Sequence, residues 1–212
     1  MIITYQGIEF IKIQQGDTVL AFNPVSKDSK FKTPRFGADI ALISLNHPDM
    51  NGSDVVGIGD KQPFVIKGPG EYEVKDLFIK GFETKSTYGD TDKFNTIYSV
   101  TIDGINVCYL GAIGENNVSA EARTAMGDAD VLFVPIGGEG VLNASDAYKL
   151  AVKLEPKIII PIHYGEVGSK DALKTFLKEG EAQDVKPIDK LTLKKKDLDG
   201  KEGDIIVLEA LM

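Results

Sequence analysis

Ala129-Asp130-Val131-Leu132-Phe133-Val134-Pro135-Ile136 and Lys157-Ile158-Ile159-Ile160-Pro161-Ile162 decide the fold class. Both are continuous apolar runs with turn signals at their ends, the pattern of strands buried on both faces. Between them Asn143 can cap a helix running from about Ala144 to Leu154, with Asp146 in its first turn beside the helix dipole. Strand, helix, strand is the building unit of an α/β sheet. Asp39-Ile40-Ala41-Leu42-Ile43-Ser44-Leu45 is a third run of the same buried kind.

Outward from these runs the pattern changes to alternation. Ile8 to Ile13 and Thr18 to Phe22 flank the turn residues Gly16-Asp17 and predict a hairpin, which Asn23-Pro24 ends. Lys27 to Arg35 is charged and reads as a loop. Pro63 to Ile66, Tyr72 to Val74 and Leu77 to Phe82 read as further strands. Asn95 to Ile102, Asp103-Gly104 and Ile105 to Leu110 form a second hairpin, since Asp-Gly between alternating runs suits a tight turn. Ser119 caps a short helix to Met126, Ser169 caps another to about Lys178, and last strands lie near Leu191-Thr192-Leu193 and Ile205 to Leu208. Hairpins first and βαβ units second predict two packed sheets covered by helices, in one domain over residues 1–212.

The totals exclude several functions. With 32 acidic against 24 basic residues the net charge is −8, which argues against a nucleic-acid partner, because such affinity comes mostly from neutralising phosphates. The basic cluster Lys190 to Lys196 reads as the solvated flank of a late strand. No apolar run approaches the roughly 20 residues of a membrane span, and the first residues lack the basic and apolar regions of a signal peptide. A cytoplasmic location without membrane partners is the expectation. Cys108 stands alone, so neither an intramolecular disulfide nor a cysteine-based zinc cage is available. With only His47 and His163, any metal site has at most two imidazoles.

Three segments end buried strands with polar groups, where α/β proteins place ligands. They are Ser44-Leu45-Asn46-His47-Pro48-Asp49-Met50-Asn51, Ile160-Pro161-Ile162-His163-Tyr164-Gly165 and Leu110-Gly111-Ala112-Ile113-Gly114-Glu115. His47 and Asp49 can turn towards one cleft. Each residue also has a plainer reading. A lone strand-end histidine is most often a hydrogen-bonded structural residue, and an aspartate two positions on is commonly a turn former.

Taken together and in order, these segments resemble the metallo-β-lactamase superfamily, in the zinc-dependent hydrolase-like branch with L-ascorbate-6-phosphate lactonase relatives. Ser44 to Met50 resembles the Thr-His-x-His-x-Asp-His motif. Gly68-Pro69-Gly70-Glu71-Tyr72 is similar to a Pro-Gly-Glu-Tyr stretch, and Asn95-Thr96-Ile97-Tyr98 with Tyr109-Leu110-Gly111-Ala112 to Asn-Thr-Ile-Tyr and His-Leu-Gly-Asp. Asp130 to Gly138 and Pro161-Ile162-His163-Tyr164 complete the match. The resemblance, from about Gly7 to about Tyr164, implies an αββα sandwich of two mixed β-sheets flanked by helices, and a site for two zinc ions.

Position by position, that implied site is depleted. Leu45 stands where the first histidine belongs, Met50 where the last of that motif belongs, and Ala112 where the bridging aspartate belongs. Lys85-Ser86-Thr87-Tyr88 offers no histidine. His47, Asp49 and His163 remain as residual ligands, with Asp49 and His163 the candidate catalytic pair. Catalytic zinc needs about three protein ligands and an open position for water, which leucine cannot supply and a thioether supplies poorly. The expected function is a hydrolase homologue with lost or weakened activity, binding a small-molecule ligand or protein partner in the former active-site cleft. No cofactor is expected at full occupancy. The alternative is an active hydrolase with zinc or another single divalent metal on His47, Asp49 and His163; whether Glu71, Glu115 or Glu139 swings in as a substitute ligand is left open by the sequence.

Overall fold

The computed structural model describes residues 1–127 and 129–212. Two mixed sheets make the framework. In the first, β1 (Ile2–Gly7), β2 (Phe10–Gln15) and β3 (Thr18–Phe22) form an antiparallel meander, while β4 (Ile40–Leu42) and β5 (Phe64–Ile66) extend it in parallel. In the second, β6 (Gly70–Val74), β7 (Leu77–Ser86), β8 (Lys93–Ile102) and β9 (Ile105–Tyr109) run antiparallel. From β9 onward that sheet becomes parallel, through β10 (Val131–Pro135) and β11 (Ile158–Ile162). Late in the chain, β12 (Leu191–Thr192) joins the first sheet beside β1, and β13 (Asp204–Ile205) joins the second beside β11.

The helices are α1 (Ala120–Met126), α2 (Ala144–Leu154) and α3 (Ala172–Glu179). Ser119 caps α1 by accepting from the Ala122 amide, and Asn143 caps α2 by accepting from the Asp146 amide at 3.0 Å. At α3 the expectation is corrected. Its N-cap is Asp171, with no side-chain capping bond, and Ser169 contributes only its carbonyl, 3.0 Å from the Ala172 amide.

Other differences have physical causes. Sequence reading gives no element over β1, because its last three residues, Tyr5, Gln6 and Gly7, are all buried and erase the alternation. The first hairpin starts at Phe10 and not at Ile8, since Ile8 turns the chain with φ +58°. The last strands are shorter than expected: beyond Ile206 the chain leaves β11, and the carbonyl of Val207 accepts from the Ile188 amide at 2.9 Å.

Side chains alternate between two cores, as the strand period of two requires. Ile11, Ile13, Leu20, Phe22 and Leu42 face inward and meet Tyr98, Val100, Tyr109 and Phe133 of the second sheet. Phe22 and Tyr109 touch across that gap, with ring centroids 4.9 Å apart. On the outer face of the first sheet, Phe10, Ala21 and Ala41 form a separate cluster with Val56, Phe31 and Phe36. No residue of α1, α2 or α3 belongs to it, so a loop and the short 3-10 helix Ser53–Val56 cover that face. No helix among the described residues is long and apolar enough to cross a membrane.

Two aspartates pin the sheets at strand entrances. Asp130 accepts from Lys157 at 2.9 Å and Lys195 at 2.7 Å, so the basic cluster near Lys190 is partly structural. Asp39 accepts from Lys75 at 2.6 Å, Lys61 at 2.8 Å and the Val19 amide at 2.9 Å. Burial raises the Asp39 pKa, but the hydrogen bonds from Lys61, Lys75 and Val19 outweigh it and hold the carboxyl at about 2. A depressed folded pKa contributes stability above the unfolded value of about 3.9, lost as pH falls towards 2. Both lysines are half exposed or more, so screening keeps the expected cost of Asp39→Asn near 1 kcal/mol at pH 7. Urea melts at pH 7 and pH 3 check this: the difference between parent and variant should shrink at the lower pH.

Candidate active site

The ends of β4 and β11 and the turn between β1 and β2 converge on one point. There Glu9 and His163 are both fully buried, with His163 Nδ1 2.9 Å from Glu9 Oε1. A carboxylate can only accept, so this network places the proton on Nδ1. Glu9 Oε2 accepts from Asn23 Nδ2 at 2.9 Å, and the same amide donates to Ser44 Oγ at 2.8 Å. The Asn23 Oδ1 in turn accepts from the Ser44 amide at 2.7 Å. Tyr109 donates its hydroxyl to the Glu9 carbonyl at 2.7 Å. Among the described residues, His163 Nε2 is the buried side-chain nitrogen or oxygen left without a partner.

The backbone here is strained. Ile8, Asn23 and His163 lie at φ +58°, +45° and +59°, in the left-handed region that a β-branched residue such as Ile8 rarely enters. The His163 amide donates to the Ile8 carbonyl at 2.6 Å, locking two of the three together. Gly137 is required by close approach, since a Cβ there would stand 2.4 Å from the His163 carbonyl oxygen.

Asp49 is nearly buried, and both its oxygens are engaged: Ser29 Oγ donates at 2.5 Å and the Tyr88 hydroxyl at 2.8 Å. His47 is part exposed, and its Nδ1 accepts from the Asp49 amide at 3.2 Å and lies 3.5 Å from Asp49 Oδ2. Burial lowers the His47 pKa, Asp49 opposes this and Lys93 adds to it. A neutral ring accepting at Nδ1 carries its proton on Nε2. Burial raises the Tyr88 pKa well above its usual range, reinforced by the bond to Asp49, so the phenol stays a donor.

Tyr88 sits among all three candidate ligands. Its ring meets His47 edge-on at 4.8 Å and His163 edge-on at 5.2 Å, while its hydroxyl holds Asp49. Leu45, Met50 and Ala112 are fully buried or nearly so, in one apolar cluster against which Tyr88 packs. The donor set therefore does not fit the two zinc ions that the fold implies. Both Asp49 oxygens and His47 Nδ1 are already bonded within the protein, while His163 Nε2 is buried without a partner. No three His, Cys, Asp or Glu side chains are grouped so as to hold an ion among the described residues.

Of the carboxylates weighed as substitutes, Glu71 pairs with Lys80 at 2.9 Å and Glu115 accepts from the Lys85 amide at 3.1 Å. Glu139 is exposed at φ +55°. The carboxylate that reaches His163 is Glu9, which sequence reasoning places inside a strand. Tyr88 was legible only as the absence of a histidine. Neither carries a local signal, because both act through contacts far away in sequence.

Comparison with known proteins agrees with the fold. A family model described as a beta-lactamase superfamily domain matches residues 2–163. A UPF0173 protein of Pyrococcus abyssi is 28% identical over 142 residues, covering 65% of this chain and 64% of that one. A UPF0173 metal-dependent hydrolase of Lysinibacillus sphaericus is 23% identical over 198 residues, covering 77% and 85%. A crystal structure from Thermotoga maritima, described as a zinc-dependent hydrolase of the metallo-beta-lactamase superfamily, superposes with a TM-score of 0.77. It is 27% identical, with 99% of this chain and 98% of that one covered.

Two measurements test the packing of this site. Leu45→Ala and Met50→Ala should each destabilise by about 2–5 kcal/mol, as for other buried side chains of this size. Urea melts within about 0.5 kcal/mol of the parent for both would mean an open cleft. Glu9→Ala should cost about 3–5 kcal/mol by leaving His163 buried without its partner, and Glu9→Gln should recover part of that loss.

Proposed function

The chain belongs to the beta-lactamase superfamily domain family, and from that membership we propose that it is a member whose metal centre has given way to packed side chains. Its hydrolase activity is lost or much weakened, and its role is to bind a small molecule or a protein partner at the former active-site cleft. Tyr88 carries this reading, with its ring between the two histidines and its hydroxyl on Asp49. A dinuclear centre would require several bare donors where leucine, methionine and alanine now pack. Apart from His163 Nε2, the polar groups that remain are satisfied internally, which suits recognition better than activation of water.

A second reading is favoured by one observation. His163 Nε2 is buried without a partner while Glu9 orients the ring through Nδ1, the arrangement that supports a metal-ligating histidine. In that reading His47, Asp49 and His163 hold one divalent ion and Tyr88 must swing away.

Metal analysis of protein purified without chelator separates the two, combined with a screen against phosphodiesters, lactones and thioesters. The first reading expects well under one equivalent of zinc and no turnover. Two tightly held equivalents would overturn it. One equivalent, with turnover abolished by His163→Ala, would establish the second.

A further inference from the structure

The loop that covers the outer face of the first sheet holds a cleft of its own. Residues 26–36 carry Lys27, Lys30, Lys32 and Arg35 against the single acid Asp28, in a chain that is acidic overall. Beside the 3-10 helix Ser53–Val56 they enclose a cavity of about 340 Å³, which adjoins a second of about 220 Å³; Lys27, Arg35 and Val55 line both. Small-molecule sites span roughly 300–1,000 Å³ and combine apolar walls with a few polar groups.

The walls have that composition. Phe36, Val55 and Ile58 line the larger cavity, and Ile58 is 64% exposed at its edge. Phe36 is held in place by stacking on Phe10 at 5.3 Å and by Lys12 Nζ 4.8 Å from its ring. Asp54 is the one carboxylate of this cavity, and Lys27 lies 3.7 Å from it. That leaves Arg35 as the cation of the larger cavity with no carboxylate partner among the described residues. Lys32, in the smaller cavity, is likewise without one.

From one unpaired guanidinium against a fixed apolar wall, we propose that this cleft binds a small monocarboxylate with an apolar body. Its carboxylate pairs with Arg35, whose planar fork matches a carboxylate with two parallel hydrogen bonds. Its body lies against Phe36, Val55 and Ile58. The adjacent Asp54 and the acidic chain as a whole disfavour a polyanion. The site does not rest on the fate of the metal centre, although the loop is tied to it through Ser29 and Asp49.

Titration of the isotope-labelled full-length protein by amide NMR tests this, with benzoate as the probe. Benzoate should shift the amides of residues 26–36 and 53–58 saturably. Its affinity should be at least tenfold above that of acetate, which lacks the body, and of benzyl alcohol, which lacks the charge. Arg35→Gln should weaken benzoate at least tenfold, while Lys196→Gln, in the other basic cluster, should leave it unchanged. Three results would overturn the proposal: equal affinity for benzoate and acetate, an Arg35→Gln variant that binds like the parent, or phenyl phosphate binding tighter than benzoate.

Discussion

The buried pair of Glu9 and His163 is the constraint around which the two sheets are assembled. Glu9 belongs to the turn between β1 and β2 of the first sheet, and His163 ends β11 of the second, 154 residues later. Two ionisable groups removed from water are costly unless their hydrogen-bonding capacity is met inside the protein. Here Asn23 meets the second carboxylate oxygen and is itself fixed by Ser44 at the end of β4. Four loops from both sheets are therefore committed to one polar network. Moving any one of them would strand a buried donor or acceptor.

That network explains why the surrounding chain tolerates strain. A left-handed β-branched residue costs roughly 1–2 kcal/mol, and Ile8 meets the left-handed Asn23 and His163 here. Each holds its conformation because a relaxed backbone would break a bond to a fully buried partner. Strain of this kind clusters at functional sites. In this chain it surrounds a point where Leu45, Met50, Ala112 and Tyr88 pack beside His47, Asp49 and His163. The backbone geometry and the side-chain chemistry of the site are thus separable.

The parts of the fold legible in the sequence are those fixed by local rules. β10 and β11 are apolar throughout because both faces are covered, and Ser119 and Asn143 cap their helices through bonds three residues away. The hairpin turn at Asp103-Gly104 is equally local, with both residues at positive φ. Where a contact is distant the sequence is silent. β1 hides because burial at Tyr5, Gln6 and Gly7 removes its alternation, and Glu9 reads as an exposed strand residue until His163 is placed beside it. For the site, Leu45, Met50 and Ala112 were visible as departures from the motifs they occupy. Tyr88 was not, because nothing next to it in the chain shows that it fills the space between His47 and His163.

A metal ion stabilises a fold by binding only its folded state, so a chain without that contribution must replace it from its own side chains. On the proposed reading Leu45, Met50 and Ala112 make that replacement; they form one buried cluster with Phe10 and Ala21 of the outer core. Tyr88 adds a hydrogen bond that satisfies an Asp49 oxygen otherwise stranded near that apolar cluster. The same cluster extends to Phe31 and Phe36, under the basic loop that takes the place of a helical cover. Core, candidate site and outer cleft are therefore one packing problem, in which Ser29 joins the loop to Asp49 and Asp49 joins it to Tyr88. A ligand seated against Phe36 would act on the same side chains that pack around Asp49 and Tyr88.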